Sequence, residues 1–180
     1  MMAPAPAKST VVRGTIMFTD IVGFTEFTAL RGDDEAIELL SLQEGIVTEE
    51  LGDESRIVKQ LGDGLMIWFA DSCAAIETGL RLQERFEEAA WDRDMPLWVR
   101  IGLHSGQQSR RGDDLIGHDV NVASRIVNLA DSGEVLASEA TVRSADGGVP
   151  DVEFKRLGPV VMKGIPNPIN LFRAERRGAA

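Results

Sequence analysis

Between residues 15 and 25 the chain reads Thr-Ile-Met-Phe-Thr-Asp-Ile-Val-Gly-Phe-Thr, and no other stretch limits the fold as tightly. Its first half is a short apolar run of β-favouring residues, the pattern of a buried strand. Asp20 interrupts that run, and burying its charge costs several kcal/mol unless something compensates it. Gly23 follows, and the mixed polar and apolar segment from Thr25 to Leu30 turns the chain directly from strand into helix. Main-chain N–H groups at such a turn, with the positive end of the helix, make an anion site. A carboxylate beside it can hold a metal ion, and a hard cation next to a phosphate cradle suits a nucleotide triphosphate with Mg2+. An isolated strand-Asp-turn is more often just a helix cap, so the rest of the chain decides.

The elements that follow restrict the topology. Asp33 or Asp34 caps a helix to about Leu51, with Ile37, Leu40, Val47 and Leu51 on one face and Gly52 as the stop. Two strand-like runs, Arg56 to Leu61 and Leu65 to Ala70, are joined by Gly62-Asp63-Gly64, a strong hairpin signal. Asp71 or Ser72 caps a second helix to about Ala90, with Ile76, Leu80 and Phe86 inward and Cys73 at a position that periodicity buries. A strand from Leu97 to Leu103 continues towards Gln107, and the Gly-, Arg- and Asp-rich segment to Gly117 protrudes as a hairpin or loop. A third helix spans about Asp119 to Leu129, with Val122, Ile126 and Leu129 at core spacing. Strand Glu134 to Ala137, a short helix from Ser138 to Arg143, and strands Glu153 to Leu157, Val160 to Met162 and Ile169 to Phe172 complete the chain.

Strand, helix, hairpin, helix, strand is the order of a ferredoxin-like split βαβ core. The expected fold class is therefore α+β: an antiparallel ferredoxin-like sheet with helices on one face, extended by C-terminal strands. Such a sheet makes the end of the first strand a neighbour of the hairpin tip, so Asp20 and Asp63 should meet at one edge. The expected organisation is a flexible tail over residues 1–12, one domain over 13–174 and a short tail over 175–180.

Composition narrows the partners. A formal net charge of -10 argues against an extended nucleic-acid surface, and the positive groups that meet a polyphosphate must be few and partly metallic. No apolar run approaches the ~18 residues of a membrane span, and the Ala- and Pro-rich start lacks the apolar core of a signal peptide, which makes the cytoplasm the expected location. One cysteine and two histidines form no zinc pattern.

Two carboxylates from adjacent strands can hold two divalent cations ~4 Å apart, the arrangement that stabilises both attacking and leaving oxygens in phosphoryl transfer. Lys59 stands four residues before Asp63, ~13 Å away at ~3.3 Å per strand residue, about the span of a nucleotide from phosphates to base. Asn121 and Arg125 share a helix face, and suit a sugar contact and a permanent cation for developing charge. Each has a plainer reading: a hairpin aspartate, a snorkelling lysine, a solvated helix face. Lys163 and Lys155 have equal claims to a further phosphate contact.

The blocks Phe18-Thr19-Asp20-Ile21-Val22-Gly23-Phe24-Thr25, Lys59-Gln60-Leu61-Gly62-Asp63, and Asp114 with Asn121-Val122-Ala123-Ser124-Arg125 resemble the catalytic domain of the class III nucleotidyl cyclases, over about Arg13 to Arg173. The resemblance implies that Asp20 and Asp63, with Ile21, bind two divalent cations, Mg2+ or Mn2+. It implies that Lys59 and Asp114 read adenine, that Asn121 orients the ribose, that Arg125 stabilises the transition state, and that Lys163 holds the terminal phosphates, with Phe24 and Thr25 among the substrate contacts. Guanine-selective relatives usually carry Glu for that Lys and a small residue for that Asp. The implied reaction is adenylate cyclisation of ATP to 3',5'-cyclic AMP and pyrophosphate, in two sites shared across a symmetric homodimer. The segment from Gln107 to Asp113 is shorter than the dimer arm of many relatives. A regulatory domain or activator outside this chain is the remaining partner to consider. The rival readings are a guanylate or dinucleotide cyclase, a polymerase palm, and a silent nucleotide-binding module.

Overall fold

A computed structural model describes residues 10–146 and 148–178. One sheet of eight strands runs in the order β2-β3-β1-β4-β6-β8-β7, with β5 paired to β4 off this path. Strand β1 (Thr10–Ile21) lies between β3 (Gly64–Phe69) and β4 (Val99–Arg111), antiparallel to both. The hairpin of β2 (Ser55–Leu61) and β3 is thus fixed at the end of β1, with Leu65 opposite Thr19. The expected split βαβ core is present, and β6 (Val135–Ser138), β7 (Val152–Val160) and β8 (Ile169–Arg176) extend it.

Alternation along β1 determines the layers. Met17 and Ile21 point to one face, under α2 (Asp33–Glu50) and α3 (Ser72–Arg93), in the main core. Ile16 and Phe18 point to the other, where they pack with Val120, Ala123 and Val127 of α4 (His118–Val127). The helices therefore do not all lie on one face. A central strand apolar on both sides needs cover on both, and α4 supplies the second layer. Gly102 of β4 admits it closely, since a Cβ there would fall 2.4 Å from the Val127 amide nitrogen.

Several local expectations shift. The buried stripe of α2 is Ala36, Leu39, Gln43, Ile46 and Val47, while Ile37 is 60% exposed. Gln43 hides the stripe from a hydropathy reading: it is buried because its amide donates to Thr19 Oγ1 at 3.0 Å. Leu129 is exposed because α4 ends at Val127. Cys73 is only half-buried. The expected pair of strands around Pro159 is one strand, β7, with a bulge between Arg156 and Gly158. It is an edge strand, where a residue without an N–H is tolerated. The ordered chain is also longer than expected at both ends. Thr10, Val11 and Val12 pair with Arg110, Ser109 and Gln108, and Glu175 and Arg176 belong to β8. Residues 1–9 lie outside the described residues. No described helix is long and apolar enough to cross a membrane.

His104 of β4 is 6% exposed, and burial pushes its pKa below the ordinary value of 6.5, assisted by His118 and opposed by Asp119. The unfolded chain therefore takes up a proton that the folded chain resists. Stability is expected to fall as the pH drops below about 6.5, and to owe nothing to this group above it. Urea midpoints at pH 5.5 and 7.5 check this: His104→Gln should flatten the difference, and an unchanged slope contradicts the assignment.

Candidate active site

The chain turns from β1 into α1 (Phe24–Arg31) at Gly23, whose φ of 76° favours glycine and which leaves the helix start without a side-chain cap. Asp20 therefore does not cap α1. Its carboxylate is held by Arg100, the residue opposite it on β4, with Nε 2.7 Å and a terminal nitrogen 2.6 Å from Oδ2. Arg100 also donates to the Asn128 carbonyl at 3.2 Å, which connects the end of β1 to the end of α4.

Asp63 occupies the hairpin turn after Gly62, whose φ is 62°. Gly64 lets this turn press against β1, because a Cβ there would fall 2.4 Å from the Thr19 carbonyl oxygen. Thr19, itself buried, completes the clamp by accepting from the Leu65 amide at 3.1 Å. Burial and the charge of Asp20 raise the Asp63 pKa, against the main-chain amides of Asp63 and Ile21 and the Arg100 guanidinium. The two carboxylates thus meet as the topology required. The Ile21 side chain is 2% exposed and belongs to the core, so only its main chain faces the carboxylates. Phe24 likewise packs against the core, while Thr25 is exposed at the uncapped first turn of α1.

Lys59 and Asp114 form a second pair. β4 and β5 (Asp114–Ile116) make a hairpin that returns across the α4 face, where Leu115 packs with Ile16, Phe18 and Met66. That return brings Asp114 to Lys59, 2.9 Å from Nζ to the carboxylate. Lys59 holds the Asp114 carboxyl below its usual pKa, with help from the Leu115 amide.

Asn121 and Arg125 are both exposed on α4, while Val122 and Ile126 beside them are buried against Met162, Ile165 and Leu171. Among the described residues neither Asn121 nor Arg125 has a side-chain hydrogen-bond partner within the chain, apart from main-chain roles. Lys163 is exposed between Met162 and Gly164, in the turn that packs against this helix. Lys155 is engaged by Glu175 at 2.5 Å on the edge of the sheet.

Arg100 was not singled out by sequence reasoning. Its signal is a lone cation in the apolar run Leu97 to Leu103. Only the β1–β4 register places it on Asp20.

The two carboxylates are the oxygen donors that hard cations take, and burial together with the charge of Asp20 raises the Asp63 pKa, while Arg100 is the cation that holds Asp20 within the chain. No group of three or more His, Cys, Asp or Glu among the described residues could hold a metal alone. The remaining ligands of a bound cation would then come from water and substrate phosphates, as is usual for Mg2+. A cleft of about 650 Å3 between α2 and α3 is lined by none of the motif residues.

The split βαβ sheet with acidic groups at the joined ends of β1 and its neighbouring hairpin is the arrangement that the resemblance to the class III nucleotidyl cyclases implied. The family profile described as the adenylate and guanylate cyclase catalytic domain matches residues 7–174, and the chain belongs to this family. It is 32% identical over 168 residues to the pH-sensitive adenylate cyclase MT1302 of Mycobacterium tuberculosis, a match covering 92% of this chain and 41% of that relative. The chain thus spans less than half of that protein. In fold it is similar to the adenylyl cyclase CyaB from P. aeruginosa, with a TM-score of 0.82 and 22% identity over 94% of this chain and 96% of the other. The guanylyl cyclase Cya2 is also similar, with a TM-score of 0.80 and 20% identity over 95% of each chain. Fold therefore does not separate the two bases.

Proposed function

We propose that this chain is an adenylate cyclase domain that converts ATP to 3',5'-cyclic AMP and pyrophosphate, by attack of the ribose 3'-hydroxyl on the α-phosphorus. The observation that carries the choice of ATP is the Lys59–Asp114 pair, which sets a donor and an acceptor side by side. Adenine offers an acceptor at N1 next to a donor at its 6-amino group, and this pair can meet both. Guanine also offers an acceptor and a donor side by side, so the preference for adenine rests on the family resemblance that assigns Lys and Asp at these positions to it.

Asp20, Asp63 and the main chain of Ile21 would hold two divalent cations, Mg2+ or Mn2+. When bound, these cations lower the pKa of the 3'-hydroxyl and offset negative charge on the phosphates. Uncapped N–H groups of α1 at Phe24 and Thr25 offer donors to the phosphates. Lys163 holds the terminal phosphates, Asn121 fixes the ribose, and Arg125 places a permanent cation where charge develops at the α-phosphate.

We further infer that the active unit is a homodimer, in which the carboxylates of one subunit face the base, ribose and phosphate partners of the other. Two observations support this. Asn121 and Arg125 are exposed, and neither side chain has a hydrogen-bond or ion-pair partner among the described residues. Exposed apolar residues also flank both halves, with Val22 (41%) and Leu61 (49%) beside the carboxylates and Ile116 (44%) and Leu129 (45%) beside the nucleotide partners. Residues 13–174 form the catalytic domain in this reading, with a regulatory domain or activator, if the activity needs one, outside it.

Chromatographic product analysis with ATP or GTP, in Mg2+ or Mn2+ and over a range of protein concentrations, tests the proposal. Cyclic AMP from ATP, with specific activity rising with protein concentration, is expected. No cyclic product from folded dimer would favour a silent nucleotide-binding module. In the same assay, Lys59→Glu with Asp114→Cys should weaken the preference for ATP over GTP by about tenfold or more, given ~1–3 kcal/mol for a paired base contact. An unchanged preference refutes the base-reading role.

A further inference from the structure

A line of hydroxyls, all buried except the half-buried Ser105, runs from the α3 face of the sheet to the α4 face, and no step of the proposed reaction uses it. At its start, Thr15 Oγ1 lies 2.9 Å from Ser72 Oγ and 2.7 Å from Ser105 Oγ. Ser105 donates to Thr141 Oγ1 at 3.1 Å, in α5 (Glu139–Ser144), and Thr141 Oγ1 lies 3.2 Å from Ser138 Oγ. Ser138 Oγ lies 2.7 Å from His104 Nδ1, and His104 Nε2 lies 3.3 Å from Asp119 Oδ1. The last link is the other Asp119 oxygen, Oδ2, which accepts from the Gln107 amide at 2.6 Å.

The far end determines the direction of the whole line. The Asp119 carboxylate has only lone pairs to present, so the ring nitrogen facing it, Nε2, carries the proton. A neutral His104 then has a bare Nδ1, which must accept from the Ser138 hydroxyl. Ser138 in turn accepts from Thr141, whose amide also donates to it at 3.3 Å, and Thr141 accepts from Ser105. Every hydroxyl donates forward, from α3 and β1 to α4. Burial of His104, which disfavours its charged form, maintains this arrangement.

Asp119 lies in the first turn of α4, but its carboxylate is directed back at β4 instead of along the helix. Gly106 makes this possible: a Cβ there would fall 1.9 Å from Asp119 Oδ2. The helix that Asp119 ties down is the one that presents Asn121 and Arg125, two and six positions further on.

We propose that His104 and Asp119 are positioning residues that fix α4, and with it Asn121 and Arg125, against β4, and that Asp119 sets the His104 tautomer, which the hydroxyl line from Ser72 then supports by donating to Nδ1. The inference rests on the cyclase reading above for its catalytic consequence, but not for the hydrogen-bond line itself. Groups carried by α4 act on the ribose and the α-phosphate, whereas Lys59, Asp114 and Lys163 lie on other elements. Loosening α4 should therefore lower kcat and leave KM for ATP nearly unchanged.

The test uses the full chain labelled with 15N-histidine. It contains two histidines, and His118→Gln assigns the pair. At pH 8 the wild type should show His104 as the Nε2–H tautomer. In Asp119→Asn, the amide oxygen stays with the Gln107 N–H and the amide nitrogen faces His104, which should flip the ring to the Nδ1–H tautomer. The kcat of this variant should fall at least about tenfold, with KM within about twofold. Gly106→Ala displaces the Asp119 carboxylate without changing its chemistry, and should lower kcat similarly. A wild-type Nδ1–H tautomer, or full kcat in both folded variants, overturns the proposal. An inactive wild type with the Nε2–H tautomer would instead remove the cyclase reading and leave the hydrogen-bond line standing.

Discussion

Asp20→Ala is expected to abolish turnover while the domain stays folded. The carboxylate stands with Asp63 at the joined ends of β1 and the hairpin, and Asp63 alone gives a divalent cation one charged protein ligand. Losing about 4 kcal/mol of transition-state stabilisation corresponds to roughly a thousandfold in rate. The fold should tolerate the change. Asp20 is a quarter exposed, and its partner Arg100 keeps the Asn128 carbonyl. The cost to stability should be about 1 kcal/mol. Cyclic AMP formation measured beside a urea melt separates the two effects, and a folded variant with wild-type turnover would overturn the metal assignment.

Arg125→Ala is expected to lower kcat about a hundredfold to a thousandfold, with KM for ATP little changed. A permanent cation that acts only on developing charge contributes in the transition state and hardly in the ground state. Arg125 is exposed on α4 and makes no ion pair among the described residues, so stability should move by less than about 0.5 kcal/mol. Steady-state kinetics across ATP concentrations decides this. A raised KM with unchanged kcat would make Arg125 a ground-state binding residue instead.

What could be read from the sequence follows from the range of the interactions involved. The strand around Phe18, the Gly62-Asp63 turn and the exposed face of α4 are local patterns, and the split βαβ order then brings Asp20 to Asp63. Gln43 shows a limit of local pattern, because its burial depends on Thr19, 24 positions away. The second layer under β1 was missed because an apolar run covered on both faces looks the same whichever elements cover it. Arg100 depended on strand register, which two apolar strands do not specify. Asp114 met Lys59 only because the β4–β5 hairpin folds back over the sheet, and the residues alone gave Lys163 and Lys155 equal claims until the resemblance named Lys163. Motif resemblance supplied Lys59, Asp114 and Lys163 without geometry, and it supplied neither Arg100 nor Gln43.

The claim on which the account depends is that each site is built from two copies of the chain. Mixing Asp20→Ala with Arg125→Ala, each nearly inert alone, tests it most directly. Half of randomly formed dimers carry one subunit of each kind, and each of these has one intact site and one doubly damaged site. The mixture should therefore recover about a quarter of wild-type cyclic AMP formation. A mixture as inert as its components, with subunit exchange verified, would place the whole site within one chain and contradict the account.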